Sequence, residues 1–275
     1  FGENDDCLGW ILGSEGQGIS AMFQMMNTAR IFTGLIGLSV GGAAYENAKT
    51  YAHERVQGTN ISKTRDLNAQ RVSIIEHPAV RLNLINMKSR VEAMRALLYY
   101  TALQFDLERI AETEKEKENR QNMIDLLTPM CKGWCTEVGL EVVQDGLQVM
   151  GGVGYTKDFP LEQLYRDARI STIYEGTTDI QALDLIGRKI LRNDGALFQQ
   201  LMGHYSELIN EHRDHQEMGQ LINIFEGYCE SLYETSLSTQ EILKERGMES
   251  ITLYATPYLM FISSVTAGWL LLQQA

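Results

Sequence analysis

The sequence predicts a nearly all-α protein, and three observations support this fold class. The 275 residues include only 4 prolines, helix-favouring residues form long runs, and apolar residues recur at spacings of three and four. A chain of this length can bury a sizeable core in one large or two medium domains. The predicted architecture is a four-helix up-and-down bundle followed by an additional, truncated helical domain.

The individual helices are predicted from start and stop signals along the chain. Small residues such as Gly37 and Gly41 would let another helix approach the first one closely. Pro78 suits the first turn of the second helix, and Thr128-Pro129 suits the cap and first turn of the third. The charged run 114–118 indicates an exposed helix end or turn, and residues 59–76 a polar connection. The predicted helices lie at about 19–56, 78–113, 128–149, 161–169, 177–192, 196–210, 215–246 and 249–273.

The first thirteen residues look different from the rest of the chain. They contain a short apolar run, Cys7–Leu12, which predicts a strand remnant of a preceding β-domain. The helical bundle is then assigned to residues 14–192 and the additional helical domain to residues 193–275. The chain begins at Phe1 without a basic-then-apolar signal pattern, so we expect it to be the C-terminal portion of a longer protein.

The charge balance restricts the class of partner. With 24 basic and 36 acidic residues the formal net charge is −12, and binding of nucleic acid needs a basic surface instead. A nucleic-acid partner is therefore not predicted. A ligand that carries a few phosphates remains possible, because it needs only a few local cations.

The cysteine and histidine pattern does not predict a metal site. Cys131 and Cys135 are four residues apart on a predicted helix, but no further ligands lie nearby in the sequence,. Buried thiols in a reducing compartment, the bacterial cytoplasm, are the preferred interpretation. The spacing of His212 and His215 could hold a metal, although a solvated helix surface fits their charged surroundings better.

The C-terminal segment allows two interpretations. Residues 251–275 contain no charged side chain, and a membrane span needs about 20 mainly apolar residues. The segment nevertheless contains several Ser and Thr residues and lacks flanking basic residues,. We therefore expect a helix buried between other helices and no membrane span.

The strongest functional signal is a single carboxylate, that of Glu175. It lies between the apolar pair Ile173-Tyr174 and the expected start of a helix at Thr177, downstream of the Gly-rich turn 151–155. A partly buried carboxylate is a better proton acceptor than an exposed one. The segment therefore indicates proton abstraction at a closed-off site.

Three motifs, in this order and spacing, resemble the C-terminal helical domain of acyl-CoA dehydrogenases. They are YAHERVQG at 51–58, QVMGGVGY at 148–155, and YRDAR at 165–169 leading into YEGT at 174–177. The segment 177–189 further resembles the larger bacterial subgroup with an extra C-terminal helical domain, such as 3-methylmercaptopropionyl-CoA dehydrogenases. The resemblance implies the helical bundle of that family over residues 16–192.

The resemblance also implies a reaction, the α,β-dehydrogenation of an acyl-CoA thioester. Glu175 matches the family's base, which takes the α-proton while hydride passes to FAD. Its backbone N–H would help to stabilise the charge that develops on the thioester carbonyl. Ala29 occupies the alternative base position that some members use, and alanine cannot accept a proton. The residues matched to the substrate site are Asn27, Arg30, Tyr174 and Gly176.

A second set of residues matches the family's FAD contacts. Arg55 and Gln57 correspond to residues that hold the FAD diphosphate of a neighbouring subunit, a task that suits the guanidinium group. Asp179 departs from the family, whose members often have Gln or Gly at this position, and a carboxylate near a diphosphate would repel it. The full matched set is Arg55, Gln57, His77, Gln148, Gly151, Gly152, Thr177 and Asp179.

The implied partners are an acyl-CoA substrate, further copies of the chain in a homodimer or homotetramer, and electron-transfer flavoprotein as electron acceptor. Two alternatives remain open within the resemblance. The protein could be an acyl-CoA oxidase, which passes electrons to oxygen, or a catalytically inactive helical assembly module. The isolated 275-residue chain is expected to be inactive, because the family holds most of its FAD in domains that precede this one.

Overall fold

The computed structural model describes residues 2–63, 65–191 and 195–275, and it is almost entirely helical. The predicted all-α fold class is confirmed. The described helices are α1 Gly18–Glu54, α2 Pro78–Arg109, α3 Glu114–Met150, α4 Leu161–Ser171, α5 Thr178–Asp184, α6 Ala196–His212, α7 Gly219–Arg246, α8 Met248–Thr252 and α9 Ala255–Leu272.

The closest helix pairing joins α1 and α3, and glycine makes it possible. A Cβ atom added to Gly37 would lie 2.7 Å from the carbonyl carbon of Cys135, and one added to Gly139 would lie 2.7 Å from the carbonyl carbon of Gly37. Real Cβ atoms essentially never come so close. The two backbones therefore touch directly, as the small residues of α1 predicted.

The start of α3 differs from the prediction by fourteen residues. It begins at Glu114, because the Thr113 hydroxyl accepts the Glu116 N–H (3.2 Å) while the Glu116 carboxylate accepts the Thr113 N–H (3.1 Å). This capping box makes the charged run the exposed first turn of the helix. Pro129 lies buried inside α3 and removes one of its backbone hydrogen bonds,.

The connection between α1 and α2 contains a hairpin that was not predicted. Strands β1 (Val56–Thr59) and β2 (Arg71–Ser73) pair antiparallel, and β1 carries one extra residue. Gly58 takes a positive φ of 74° in β1, which glycine tolerates and which suits a bulge. The hairpin turns the chain back so that His77 lies beside β1.

The helix predicted over 177–192 consists of α5 and a π-helical segment, Leu185–Ile190. Residues 192–194, at which the predicted domains meet, lie outside the described residues. The strand expected at Cys7–Leu12 is not formed, since these exposed residues pair with no strand of the described chain. Whether they belong to a preceding β-domain stays a prediction.

The last helix, α9, packs into the bundle. It contacts α2, α3 and α5 as well as α7, and Trp269, Leu259 and Ile262 are fully or almost fully buried. A Cβ atom at Gly133 of α3 would lie 2.5 Å from the Leu259 Cδ2 atom. Among the described helices α9 is long and apolar enough to span a membrane, but more than half of it is buried inside the protein.

Candidate active site

Glu175 lies in a tight turn between α4 and α5. Glu175 and Gly176 both have positive φ angles, 58° and 86°. A residue with a side chain pays about 1–2 kcal/mol for this left-handed conformation, so other contacts must hold it there. Thr177 then starts α5, where its hydroxyl accepts the N–H of Ile180 (3.4 Å).

The side chain of Gln181 supplies one of these contacts. It is fully buried, and its amide nitrogen donates to the carbonyl oxygens of Glu175 (3.2 Å) and Gly176 (3.3 Å). A Cβ atom at Gly176 would lie 2.7 Å from that nitrogen. Gln181 therefore fixes the turn through two backbone carbonyls, and its side chain leaves room only for glycine at position 176.

The Glu175 carboxylate keeps one oxygen available. Its Oε2 atom is buried and has no hydrogen-bond partner among the described residues. The Glu175 N–H also has no acceptor within that part of the chain. The turn thus presents an anionic acceptor and a backbone donor from the same residue, which is a suitable pair for removing a proton next to a carbonyl group.

Arg30 and Asn27 lie near this end of α1. Arg30 is buried and forms an ion pair with Asp184 of α5 (Nη1 to Oδ2, 3.2 Å), while its Nε atom has no partner among the described residues. Asn27 lies about one turn earlier on α1 and is half-buried. The ion pair was not predicted. It fixes Arg30 against α5, and part of its charge is neutralised there.

Lys132 of α3 is a further charged residue close to the turn. Its side chain is fully buried and its Nζ atom donates to the Thr172 carbonyl oxygen (3.1 Å). Burial is the main reason that the pKa of Lys132 falls to about 8, and the positive charge of Arg30 lowers this pKa further. The negative charges of Glu137 and, to a smaller extent, Glu175 raise it. Sequence reasoning missed Lys132, although a lysine within the apolar run 130–135 was a detectable signal.

A second group of predicted residues meets at the other end of α1. Arg55, Gln57 and His77 line an open cleft of about 570 Å³ together with Gly151 and Gly152. The ring nitrogen Nε2 of His77 donates to the Gln57 carbonyl oxygen (2.8 Å). A Cβ atom at either glycine would meet nothing within 4 Å, so the backbone there is open to a ligand.

Three residues of the predicted FAD set, Gln148, Thr177 and Asp179, do not line that cleft. Gln148 is exposed on α3 one turn before the glycines, and Tyr174 is 37% exposed beside Glu175. Asp179 forms a very short hydrogen bond with the Thr256 hydroxyl at the start of α9. Its carboxylate therefore holds the last helix against α5.

The two groups of residues are far apart within one chain. Arg30 belongs to the group around Glu175 and Arg55 to the group in the cleft, and α1 runs without a break between them. At 1.5 Å per residue this separation is about 37 Å. The base end and the cleft end of α1 therefore form two separate sites in a single copy.

Comparison with protein families identifies the fold. The family model described as "Acyl-CoA dehydrogenase, C-terminal domain" matches residues 16–191. The chain belongs to the acyl-CoA dehydrogenase family. The match covers the segment predicted to be the bundle, and it ends just before the additional helices.

Acyl-CoA dehydrogenases of bacteria are also similar in sequence. A butyryl-CoA dehydrogenase of Syntrophomonas wolfei is 39% identical over 214 residues, which cover 76% of this chain and 35% of that protein. The 3-methylmercaptopropionyl-CoA dehydrogenase of Ruegeria pomeroyi is 36% identical over 272 residues, covering 97% of this chain and 45% of that protein. The chain thus spans less than half the length of these acyl-CoA dehydrogenases.

Solved structures of acyl-CoA dehydrogenases share the fold. Caenorhabditis elegans ACDH-11 in complex with C11-CoA superimposes with a TM-score of 0.81 at 21% identity, over 96% of this chain and 42% of that one. A Bacillus anthracis acyl-CoA dehydrogenase complexed with FAD gives a TM-score of 0.71 at 21% identity, and the match covers 93% of this chain and 43% of that one. Because both cover at least 93% of this chain, most of the additional helical region after residue 195 lies within the shared fold.

Acyl-CoA dehydrogenases are FAD-dependent, and the cleft fits part of such a cofactor. Arg55 is exposed at its mouth, and a guanidinium group can bind phosphate oxygens in a bidentate manner. The Gly151 and Gly152 backbones are open where side chains would fill the cleft. The donors present therefore suit a diphosphate.

Proposed function

We propose that this chain is the C-terminal part of an FAD-dependent dehydrogenase that introduces an α,β double bond into an acyl-CoA thioester, with Glu175 as the catalytic base. One observation carries the proposal. Glu175 is held in a left-handed turn with a buried, unpartnered carboxylate oxygen. The acidic alternative on α1 is absent, because the residue before Arg30 is Ala29.

The residues of the turn act on different parts of the thioester. The Glu175 carboxylate takes the α-proton, and its backbone N–H donates to the thioester carbonyl oxygen as negative charge develops there. Bound FAD would accept the β-hydrogen as hydride. Gly176 gives the thioester close access to the backbone, Tyr174 lines the acyl channel, and Asn27 and Arg30 lie at the substrate side of α1.

The cleft at the other end of α1 would bind the FAD diphosphate and adenine side. We propose that Arg55, Gln57, His77, Gly151 and Gly152 reach the FAD of a neighbouring copy, since about 37 Å of helix separates Arg55 from Arg30 at the Glu175 end of α1. Gln148 would add to these contacts, whereas Thr177, two residues after Glu175, would contact the FAD that serves its own copy's turn. The active form is then a homodimer or homotetramer, and electron-transfer flavoprotein would reoxidise the flavin.

Anaerobic flavin bleaching across a panel of acyl-CoA thioesters tests the reaction. The full-length protein that contains this chain is compared with its Glu175→Gln variant and with Glu118→Gln, a matched change at an exposed position near the start of α3. Loss of a general base lowers rates by about 100- to 10,000-fold. Glu175→Gln should therefore keep its FAD and hardly bleach, whereas Glu118→Gln should match the parent.

Two results would count against the proposal. Equal bleaching of parent and Glu175→Gln would show that another group removes the proton. A parent that binds FAD and is bleached by no thioester of the panel would favour an inactive assembly module.

A further inference from the structure

The carbonyl oxygen of Thr172 accepts more than one hydrogen bond at the turn that carries Glu175. It accepts the Lys132 ammonium group (3.1 Å) and the Thr178 N–H (3.2 Å). Thr172 ends α4 and Thr178 begins α5, so these bonds close the loop at both ends. The group that reaches this carbonyl from outside the loop is Lys132 of α3.

The environment of Lys132 makes its position costly unless a negative charge is near. The side chain is fully buried, and a buried ammonium group loses its hydration. The charged groups that face it are Glu137 on its own helix, Arg30 on α1, and Glu175 on the turn. Of the two carboxylates Glu137 has the larger effect on Lys132, and the hydrogen-bond partner of the ammonium group among the described residues is the Thr172 carbonyl oxygen (3.1 Å).

We propose that Lys132 is a positioning residue for Glu175 and fixes its turn through the Thr172 carbonyl. This inference rests on the proposed role of Glu175. Lys132 itself touches no substrate, because no part of its side chain reaches the surface. Its effect passes through the backbone at Thr172.

The first test needs no catalysis. Amide hydrogen exchange of the full-length protein is followed at Thr178, in the parent, in Lys132→Met and in Lys244→Met, an exposed lysine on α7. We expect slow exchange in the parent and in Lys244→Met, and exchange at least tenfold faster in Lys132→Met. Complete exchange of the parent amide within seconds would refute the positioning role, whether or not a variant folds.

The second test is the rate of flavin bleaching in the FAD-loaded protein. A small displacement of a reacting group can lower a rate by about 100-fold, so Lys132→Met should bleach at least tenfold more slowly than the parent at the same FAD content. Lys132→Arg, which retains a cationic donor for the Thr172 carbonyl, should recover most of the parent rate. If Lys132→Met does not fold, Lys132→Gln serves as the neutral variant.

The outcomes separate the two proposals. A neutral variant with a parent-like bleaching rate and parent-like exchange at Thr178 overturns the role of Lys132 and leaves Glu175 as the base. Absence of bleaching in the parent overturns the proposed reaction, while the exchange measurement still decides whether Lys132 fixes the turn.

Discussion

The direct backbone contact of α1 and α3 predicts that Gly37→Ala destabilises the protein. The added Cβ atom would lie 2.7 Å from the Cys135 carbonyl carbon, whereas ordinary contacts begin at 3.4 Å. The helices must then move apart by about 0.7 Å, a gap that forfeits a quarter to a half of the dispersion energy between the atoms it separates. Overpacking of this kind costs about 1–3 kcal/mol.

Part of that cost is offset, because alanine is a better helix former than glycine by about 1 kcal/mol. The added Cβ meets backbone atoms of Cys135 and Thr136 and no flexible side chain, so the overpacking cost lies in the upper part of its range, about 2–3 kcal/mol. The net loss for Gly37→Ala is therefore about 1–2 kcal/mol, which corresponds to a fall in Tm of about 2–8 °C. Gly42→Ala is the matched control on the same helix, since its nearest neighbouring atom would be 4.0 Å away. There the helix propensity acts alone and Tm should rise by up to about 4 °C.

Thermal unfolding followed by far-UV circular dichroism decides between these outcomes, because the protein is mostly helical. The Tm of Gly37→Ala should lie below that of the parent, and the Tm of Gly42→Ala should lie above it. A Gly37→Ala variant within one degree of the parent, or a fall of equal size in both variants, would show that the helices do not meet at Gly37.

Two further predictions concern Arg55 and Lys132. Arg55→Gln should weaken FAD binding in the full-length protein by about 10- to 150-fold, because one charge-assisted contact is lost, and the helix content should not change. FAD titration measures the affinity. Equal affinity of the variant and the parent would show that Arg55 does not bind the diphosphate. The pKa of Lys132 falls to about 8 on folding, so the unfolded chain binds more protons above that pH. The free energy of unfolding of the parent should therefore rise between pH 8 and 10 by up to about 1.4 kcal/mol per pH unit relative to Lys132→Met. Urea unfolding at pH 8, 9 and 10 measures the difference, and parallel curves would contradict it.

Sequence patterns were most informative where local chemistry decides the structure. Pro78 does begin α2, and the glycines of α1 do mark a close helix crossing. The start of α3 was misplaced because Thr113 and Thr128 both look like helix caps. In the structure Thr113 is the cap, because most residues of α3 from Met123 onward are buried against the rest of the protein. Pro129 lies within this buried stretch, inside the helix.

Other features could not be predicted, because their partners are distant in sequence. The strands of the hairpin have four and three residues, too few for a periodicity of two to stand out. Arg30 pairs with Asp184 across 154 positions, and Lys132 reaches Thr172 across 40. The prediction of Glu175 as the base came from its own segment, whereas the residues that contact its turn, Gln181 directly and Lys132 through Thr172, lie on α5 and α3.

The packing of α9 has a consequence for protein engineering. Leu259 fills the space above Gly133, and Thr256 is bonded to Asp179 only a few residues beyond Glu175. One continuous buried cluster runs from Leu38 of α1 to Trp269 of α9. Chimeras that join the bundle of one acyl-CoA dehydrogenase to the C-terminal helices of another would therefore cut through a shared interior. They should keep activity only when the residues facing Gly133 and Asp179 are exchanged together.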